Sequence, residues 1–238
     1  MFPRSVLYSG AGRLMRTRYP AVLVLFALVA ATGYGISFEG IHLQAGPVWI
    51  GNAYTTDSSG EPVQGSAASP IEESLSVGIR LRIAENLLFS PLVNVHYTEY
   101  LQAEGQKVVP TQKETGGDAG TVAGLMTASL STPWLIPLEL AEGWELAVGA
   151  SPTLAFRIPI LSIAGSGSAA GVSRYFYRSL RYLLPEAYLS TTYAFTESVD
   201  VGLVSRVLVP IYNLWDGEST AFWDEMQVFA NLFIRFRI

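Results

Sequence analysis

From Ser74 to Ile83 the chain alternates between two kinds of residue. Leu75, Val77, Ile79, Leu81 and Ile83 form one series, and Ser74, Ser76, Gly78, Arg80 and Arg82 form the other. A period of two is the spacing of a β-strand, whose successive side chains point to opposite faces. The pattern recurs along the chain. Pro91, Val93, Val95 and Tyr97 alternate with Leu92, Asn94, His96 and Thr98. Further stretches start near Val122, Trp144, Ala187 and Val199, and a last one, "VFANLFIRFRI", runs from Val228 to Ile238. A first strand is expected over about Ile36 to Tyr54, with its phase slipping near Gly40 at a bulge.

These eight candidate strands are roughly ten to seventeen residues long, against about five or six in soluble sheets. Tight turns are expected after the second strand (Ala84–Asn86) and the sixth (Thr196–Ser198). Long polar connections follow the first, third and fifth strands, and Ser131 to Gly143, with Pro133, Trp134 and Pro137, is expected to link the fourth to the fifth. Long strands with alternating faces, short turns at one end and long loops at the other mark a membrane-spanning barrel. Such a closed form pairs every backbone group within the sheet, as a bilayer demands. The expected fold class is all-β, an eight-stranded antiparallel transmembrane β-barrel. Pro91, Pro152, Pro185 and Pro210 fall in or near strands. Each removes a ladder hydrogen bond, so bulges or strand ends are expected there.

Composition agrees. Half of the residues are hydrophobic and 15% are charged, where a soluble domain carries about 25% charged residues. Yet no window supplies the ~20 apolar residues of a spanning helix. There is no cysteine, which excludes disulfides and thiolate chemistry, and two histidines, which excludes a three-histidine zinc site in one chain. No metal or cofactor is expected.

Arg4, Arg13, Arg16 and Arg18 precede the apolar run Ala21–Ala31, and no acid occurs before Glu39. A basic region, an apolar core and a small-residue exit make a secretory signal. The expected division is a signal peptide over 1–33, with Met15 as an alternative start, and a barrel over 34–238. Cleavage is expected after Ala31, Gly33 or Gly35. Losing those four arginines takes the formal net charge from −5 to −9, which argues against a nucleic-acid partner.

Aromatic residues fall in two groups. Trp49, Tyr97, Tyr100, Tyr212, Trp215, Phe222 and Trp223 belong near the long-loop end, and Trp134, Trp144, Phe195 and Phe236 near the short-turn end. Two aromatic girdles are expected of a membrane barrel.

The leader, the eight strands and the alternating last strand resemble small eight-stranded outer-membrane proteins of the OmpW-like and OmpX-like kind. "AENLLFSPLVNVHY" (Ala84 to Tyr97) looks like the turn and third strand of OmpW-like proteins, and "WELAVGASP" (Trp144 to Pro152) like a strand common in small barrels. The resemblance implies the outer membrane of a diderm bacterium, with outer-membrane lipid and the barrel-assembly machinery as partners. It implies that the last strand is the assembly signal, carried by Phe236 and Ile238, although such strands typically end on an aromatic and this one ends on Ile238. It also allows passage of small hydrophobic molecules.

Three groups of residues are candidates for function. Glu39, Arg80, Arg82, Glu145, Arg235 and Arg237 map to the short-turn end of the lumen, with Arg206 and His96 further inside. Eight strands leave an interior just wide enough for side chains. The charges are therefore expected to form an ion-paired plug, with Glu39 near Arg235 or Arg237, rather than an anion-selective constriction. His96 precedes Thr98 by two residues, whereas some eight-stranded lipid A deacylases space His and Ser that way. No acid has a place beside it, so a hydrogen-bonding lumenal histidine is expected, not an enzyme. In "SRYFYRSLRY", Arg174, Arg178 and Arg181 would share one helix face, with Tyr175 and Tyr177 beside them. This basic, aromatic loop suits lipopolysaccharide phosphates or another external ligand. "GSGSAAG" lacks the Gly-Lys-Ser/Thr ending of a phosphate loop and is expected to be a linker.

The expected function is an integral outer-membrane barrel with a narrow, polar, plugged lumen. The competing functions are a surface interaction or adhesion protein acting through its loops, a lipid-modifying enzyme, and a secreted lipocalin-type barrel. A lipocalin wants a polar exterior and an apolar cavity, the reverse of this pattern.

Overall fold

The structure, a computed structural model, describes residues 35–56, 62–64, 68–102, 108–111, 120–165, 167–214 and 221–238. The expected signal peptide (1–33, with Met15) and Trp215 lie outside these residues. The strands are β1 (Ser37–Ile50), β2 (Tyr54–Thr56), β3 (Pro62–Gln64), β4 (Ile71–Ala84), β5 (Leu87–Phe89), β6 (Leu92–Gln102), β7 (Val108–Pro110), β8 (Thr121–Ser131), β9 (Trp134–Ala141) and β10 (Trp144–Ala164). Helix α1 (Ala169–Tyr175) follows, then β11 (Leu183–Ala194), β12 (Val199–Leu208), a 3-10 turn (Ile211–Leu214) and β13 (Gln227–Phe236).

Antiparallel pairing runs β1–β4–β6–β8–β10–β11–β12–β13 and returns to β1, an eight-strand ring. β5 and β9 continue the third and fourth walls toward the short-turn end, pairing with β4, with each other and with β10. The fold is an eight-stranded antiparallel β-barrel. Its outer face is apolar: Leu43, Leu75, Val77, Val93, Leu130, Ile136, Phe156, Leu189, Leu203, Leu232 and Ile234 are all exposed. The inward positions between them are buried and largely polar, as at Gln44, Ser74, Ser76, Asn94, Thr127, Ser190 and Asn231. An apolar outside on a closed sheet belongs in hydrocarbon, because closure leaves no backbone edge there.

Two stretches differ from the sequence expectation. Ser131–Gly143 is not a connection: β9 fills most of it, and a tight turn at Glu142-Gly143 leads into β10. The pause at Thr132-Pro133 hides the continuity, since it only bends the wall. β10 also runs on to Ala164, past Arg157, where the alternation that starts at Trp144 fades. Register shifts at Pro159/Leu161 and Ser162/Ala164 break its period there, which is why alternation fades.

The prolines are accommodated at breaks. Ile79 N–H donates to the Pro91 carbonyl at 3.0 Å, and Ser90 N–H to the Pro133 carbonyl at 2.9 Å. Pro152 sits opposite Pro185 and faces the gap between β8 and β9. Pro185 lies level with Val209, one residue past β12, and Pro210 is beyond that strand.

β1 carries the expected bulge, a register shift between Phe38 and Gly40. Gly40 has φ +142°, and a Cβ there would lie 2.0 Å from the Phe236 carbonyl oxygen. Only glycine tolerates both. The bulge inserts Glu39 out of phase with the outward Ile41 and Leu43, and so turns it toward the lumen.

Aromatics gather outside at both ends. Trp49 stacks on Trp223 at 6.4 Å, while Phe89 meets Trp134 at 4.7 Å and Trp144 meets Tyr193 at 5.0 Å. Tyr100 and Tyr212, expected in the upper girdle, are instead buried inside.

Candidate functional site

The lumen is organised in layers, because each strand delivers every second side chain inward. At the short-turn mouth lie Arg80 and Arg82 from β4, Arg235 from β13 and Arg237 just after it. Glu39 bonds Arg80 at 2.9 Å and Arg82 at 2.5 Å, and lies 3.5 Å from Arg235. Glu145 pairs with Arg80. The structure thus brings together the six residues that sequence grouped, but with one partner that grouping lacked. Asp200 bonds Arg235 at 2.6 Å and Arg237 at 2.9 Å. It, not Glu39 or Glu145, is the direct counter-charge of Arg237. A polar cavity of about 440 Å³ opens at this mouth beside Arg82, Asp200, Arg235 and Arg237.

Above the ionic ring is an apolar layer in which Leu88, Leu92, Leu135, Tyr188 and Phe233 pack together. His42 joins it, 5.5 Å from the Phe233 ring and 3.1 Å from Ser90 Oγ. Next comes a second ionic pair. Arg206 donates to Glu186 from Nε at 2.7 Å and from Nη2 at 3.0 Å. Ser131 and Thr153 donate to the same carboxylate at 2.7 and 2.6 Å, and the guanidinium lies 4.8 Å from the Phe229 ring. Both charged side chains are 0% exposed. Such burial is tolerated only because the carboxylate is saturated with donors.

A further apolar layer, with Val48, Ile50, Leu184, Leu208 and Phe229, leads to a third charged group. Arg157 lies 3.9 Å from the Phe176 ring and 3.6 Å from Glu225. Glu225 accepts from the Tyr212 hydroxyl at 2.5 Å. Burial, with the Glu225 carboxylate adding, pushes the Tyr212 phenol well above its usual range, so it remains a donor. Helix α1 sits over this end. Ser168 caps it, accepting from Gly171 N–H at 3.1 Å, and Val172, Tyr175 and Phe176 pack on Tyr100, Val108 and Leu125.

His96 is buried in the lumen, its ring edge-on to Phe229 at 5.9 Å and its Nδ1 3.3 Å from Asn94 Oδ1. No acid is hydrogen-bonded to it among the described residues. In the basic loop the helix ends at Tyr175, so Arg174, Arg178 and Arg181 do not share a face. Arg174, Tyr177 and Arg178 are exposed; Tyr175 and Arg181 are buried, with the Arg181 guanidinium 3.8 Å from the Tyr175 ring. Phe236 and Ile238 are exposed at the end of β13.

Asp200, Glu186, Arg157 and Glu225 are the residues that sequence reasoning missed as site members. The first three carried a signal, since they hold inward phase on their strands. Glu225 lies in a turn and carried none.

Among solved structures, the chain is similar to that of Neisserial surface protein A, with 13% identity, 86% of this chain and 99% of that one covered, and a TM-score of 0.47. It is also similar to Ail of Yersinia pestis, solved with the heparin analogue sucrose octasulfate, with 9% identity, 84% and 99% covered, and a TM-score of 0.35. No family model matches the chain, and no curated protein does. The strand ring itself decides the class. This is an eight-stranded antiparallel β-barrel with an apolar outer face. What it does must be argued from its own side chains.

Proposed function

We propose that the chain is an integral protein of the outer membrane of a diderm bacterium with a plugged lumen, acting through its wall and its extracellular surface rather than as an axial pore. The observation that carries this is the Arg206–Glu186 pair, 0% exposed and lying between two apolar layers. An ion path at that height would hydrate these charges. In this reading small hydrophobic solutes have no axial route, and no catalytic step is assigned to His96. The last strand, with Phe236 and Ile238 facing lipid, is proposed as the assembly signal. The test is conductance: the purified barrel in planar bilayers gives no stable open state. Steady conductance of general-porin size overturns the proposal.

A second reading has the extracellular surface bind a polyanion such as lipopolysaccharide phosphate. The favouring observation is the exposed Arg174, Tyr177 and Arg178 on a loop pinned to β10, where Ser173 Oγ donates to the Arg157 carbonyl at 2.5 Å. Binding to lipopolysaccharide vesicles that survives Arg174→Ala with Arg178→Ala rules it out.

A further inference from the structure

β4 and β6 are paired only from Ser74↔His96 to Gly78↔Leu92. The same register would set Glu73, Glu72 and Ile71 against Tyr97, Thr98 and Glu99, but no pairing joins them. There β4 stays with β1, Ile71 opposite Trp49. β6 takes β7 as partner instead, from Tyr100↔Pro110 onward, and Thr111 N–H donates to the Glu99 carbonyl at 2.9 Å. Asn52 Nδ2 donates to the Pro110 carbonyl at 2.8 Å, tying the end of β1 to β7. The wall therefore carries a window, bounded below by Ser74–His96 and above by Asn52–Pro110. On the β6 edge Tyr97 and Thr98 are left without a partner, and two such positions at ~3.4 Å each make the window about 7 Å tall.

A cavity of about 770 Å³ occupies the window. Leu75, Val95 and Met126 line its outer side, Glu72 and Glu73 its rim, and Ser74 and His96 its floor. Glu99 lies within electrostatic reach of Glu72. Among the described residues no cation pairs with Glu72, Glu73 or Glu99. His96, 2% exposed, has no hydrogen-bond partner at Nε2 among them.

We propose that this window binds the ammonium head of a membrane amphiphile, with the alkyl chain lying down the outer wall. Uncompensated carboxylates beside an apolar wall call for a cation, and the carbonyls on the unpaired strand edges can accept from a hydrogen-bond donor. A primary ammonium supplies both, having one charge and three N–H groups. A bare metal ion fits less well, because no group of three or more metal-ligating side chains occurs among the described residues. Leu75, Val95 and Met126 give the chain an apolar track continuous with the barrel exterior.

The inference rests on the membrane-barrel reading, whose own failure shows separately as the absence of a heat-induced gel shift. The full chain, folded in neutral detergent, is titrated with dodecylamine and with dodecan-1-ol. Dodecylamine saturates one site, and dodecanol binds at least about tenfold more weakly. Glu72→Gln with Glu73→Gln lowers dodecylamine affinity about tenfold, while Glu139→Gln at the opposite end leaves it unchanged. Equal affinity for amine and alcohol, or an unchanged affinity in the double variant, overturns the proposal. If the double variant does not fold, the amine-to-alcohol ratio of the natural chain still decides.

Discussion

Asp200 and Arg235 are direct partners across β12 and β13, and the Arg235 Nε donates to the Asp200 carboxylate at 2.6 Å. The same carboxylate also holds Arg237. One acid on β12 therefore anchors the last two arginines of the chain, beside the seam where β13 closes on β1 and Arg235 reaches Glu39. Asp200→Asn is expected to destabilise the barrel by about 2–4 kcal/mol, nearly all of it through the buried Arg235, since Arg237 is partly exposed and screened. Reversible urea unfolding in lipid vesicles measures this. A loss under about 0.5 kcal/mol would mean that the ring does not hold the seam.

The Arg206–Glu186 pair is enclosed by donors and by Phe229. Arg206→Met or Glu186→Met leaves the remaining charge buried without its partner and is expected to cost about 3–5 kcal/mol each. Arg206→Met combined with Glu186→Met removes both charges and is expected to cost less than either change alone. A double-mutant cycle on the same unfolding equilibrium checks the order. Additive losses would show that the two charges do not act as a pair.

Leu203 and Leu232 face each other on the outer wall, 57% and 68% exposed. If hydrocarbon covers this wall, Leu232→Arg costs about 2–4 kcal/mol in a bilayer. In water an exposed arginine there would cost little. Comparing unfolding in vesicles for Leu232→Arg and Leu232→Ala reads the difference. An arginine variant as stable as the alanine variant would remove the wall from the membrane core.

The class of fold was legible from residue order, because alternation is local. Ser74–Ile83 and Val228–Ile238 announce which face meets lipid without reference to any partner strand. The inward phase of Arg80, Arg206 and Arg235 was legible for the same reason. Where the period falters, at Thr132-Pro133 and Pro159, the strand continues but the signal does not, and β9 and the end of β10 were lost. Tyr100 continues the inward series Leu92, Asn94, His96 and Thr98, so its phase already pointed into the lumen, whereas Tyr212 lies past β12 in a turn where no alternation sets a face.

By itself the sequence determined strands, faces and the stock of lumenal charge, all set by the two-residue repeat of extended backbone. Only the tertiary structure decided who meets whom. β12 and β13 are joined through a long connection, so nothing local sets their register, and Asp200 meets Arg235 only once the sheet has closed. The same holds for Glu39, which the Gly40 bulge swings onto Arg80 and Arg82, and for the window, where β4 leaves β6 to follow β1. Register between distant strands is fixed by the pairing of whole walls, and that information is spread over the ring rather than written in any one segment.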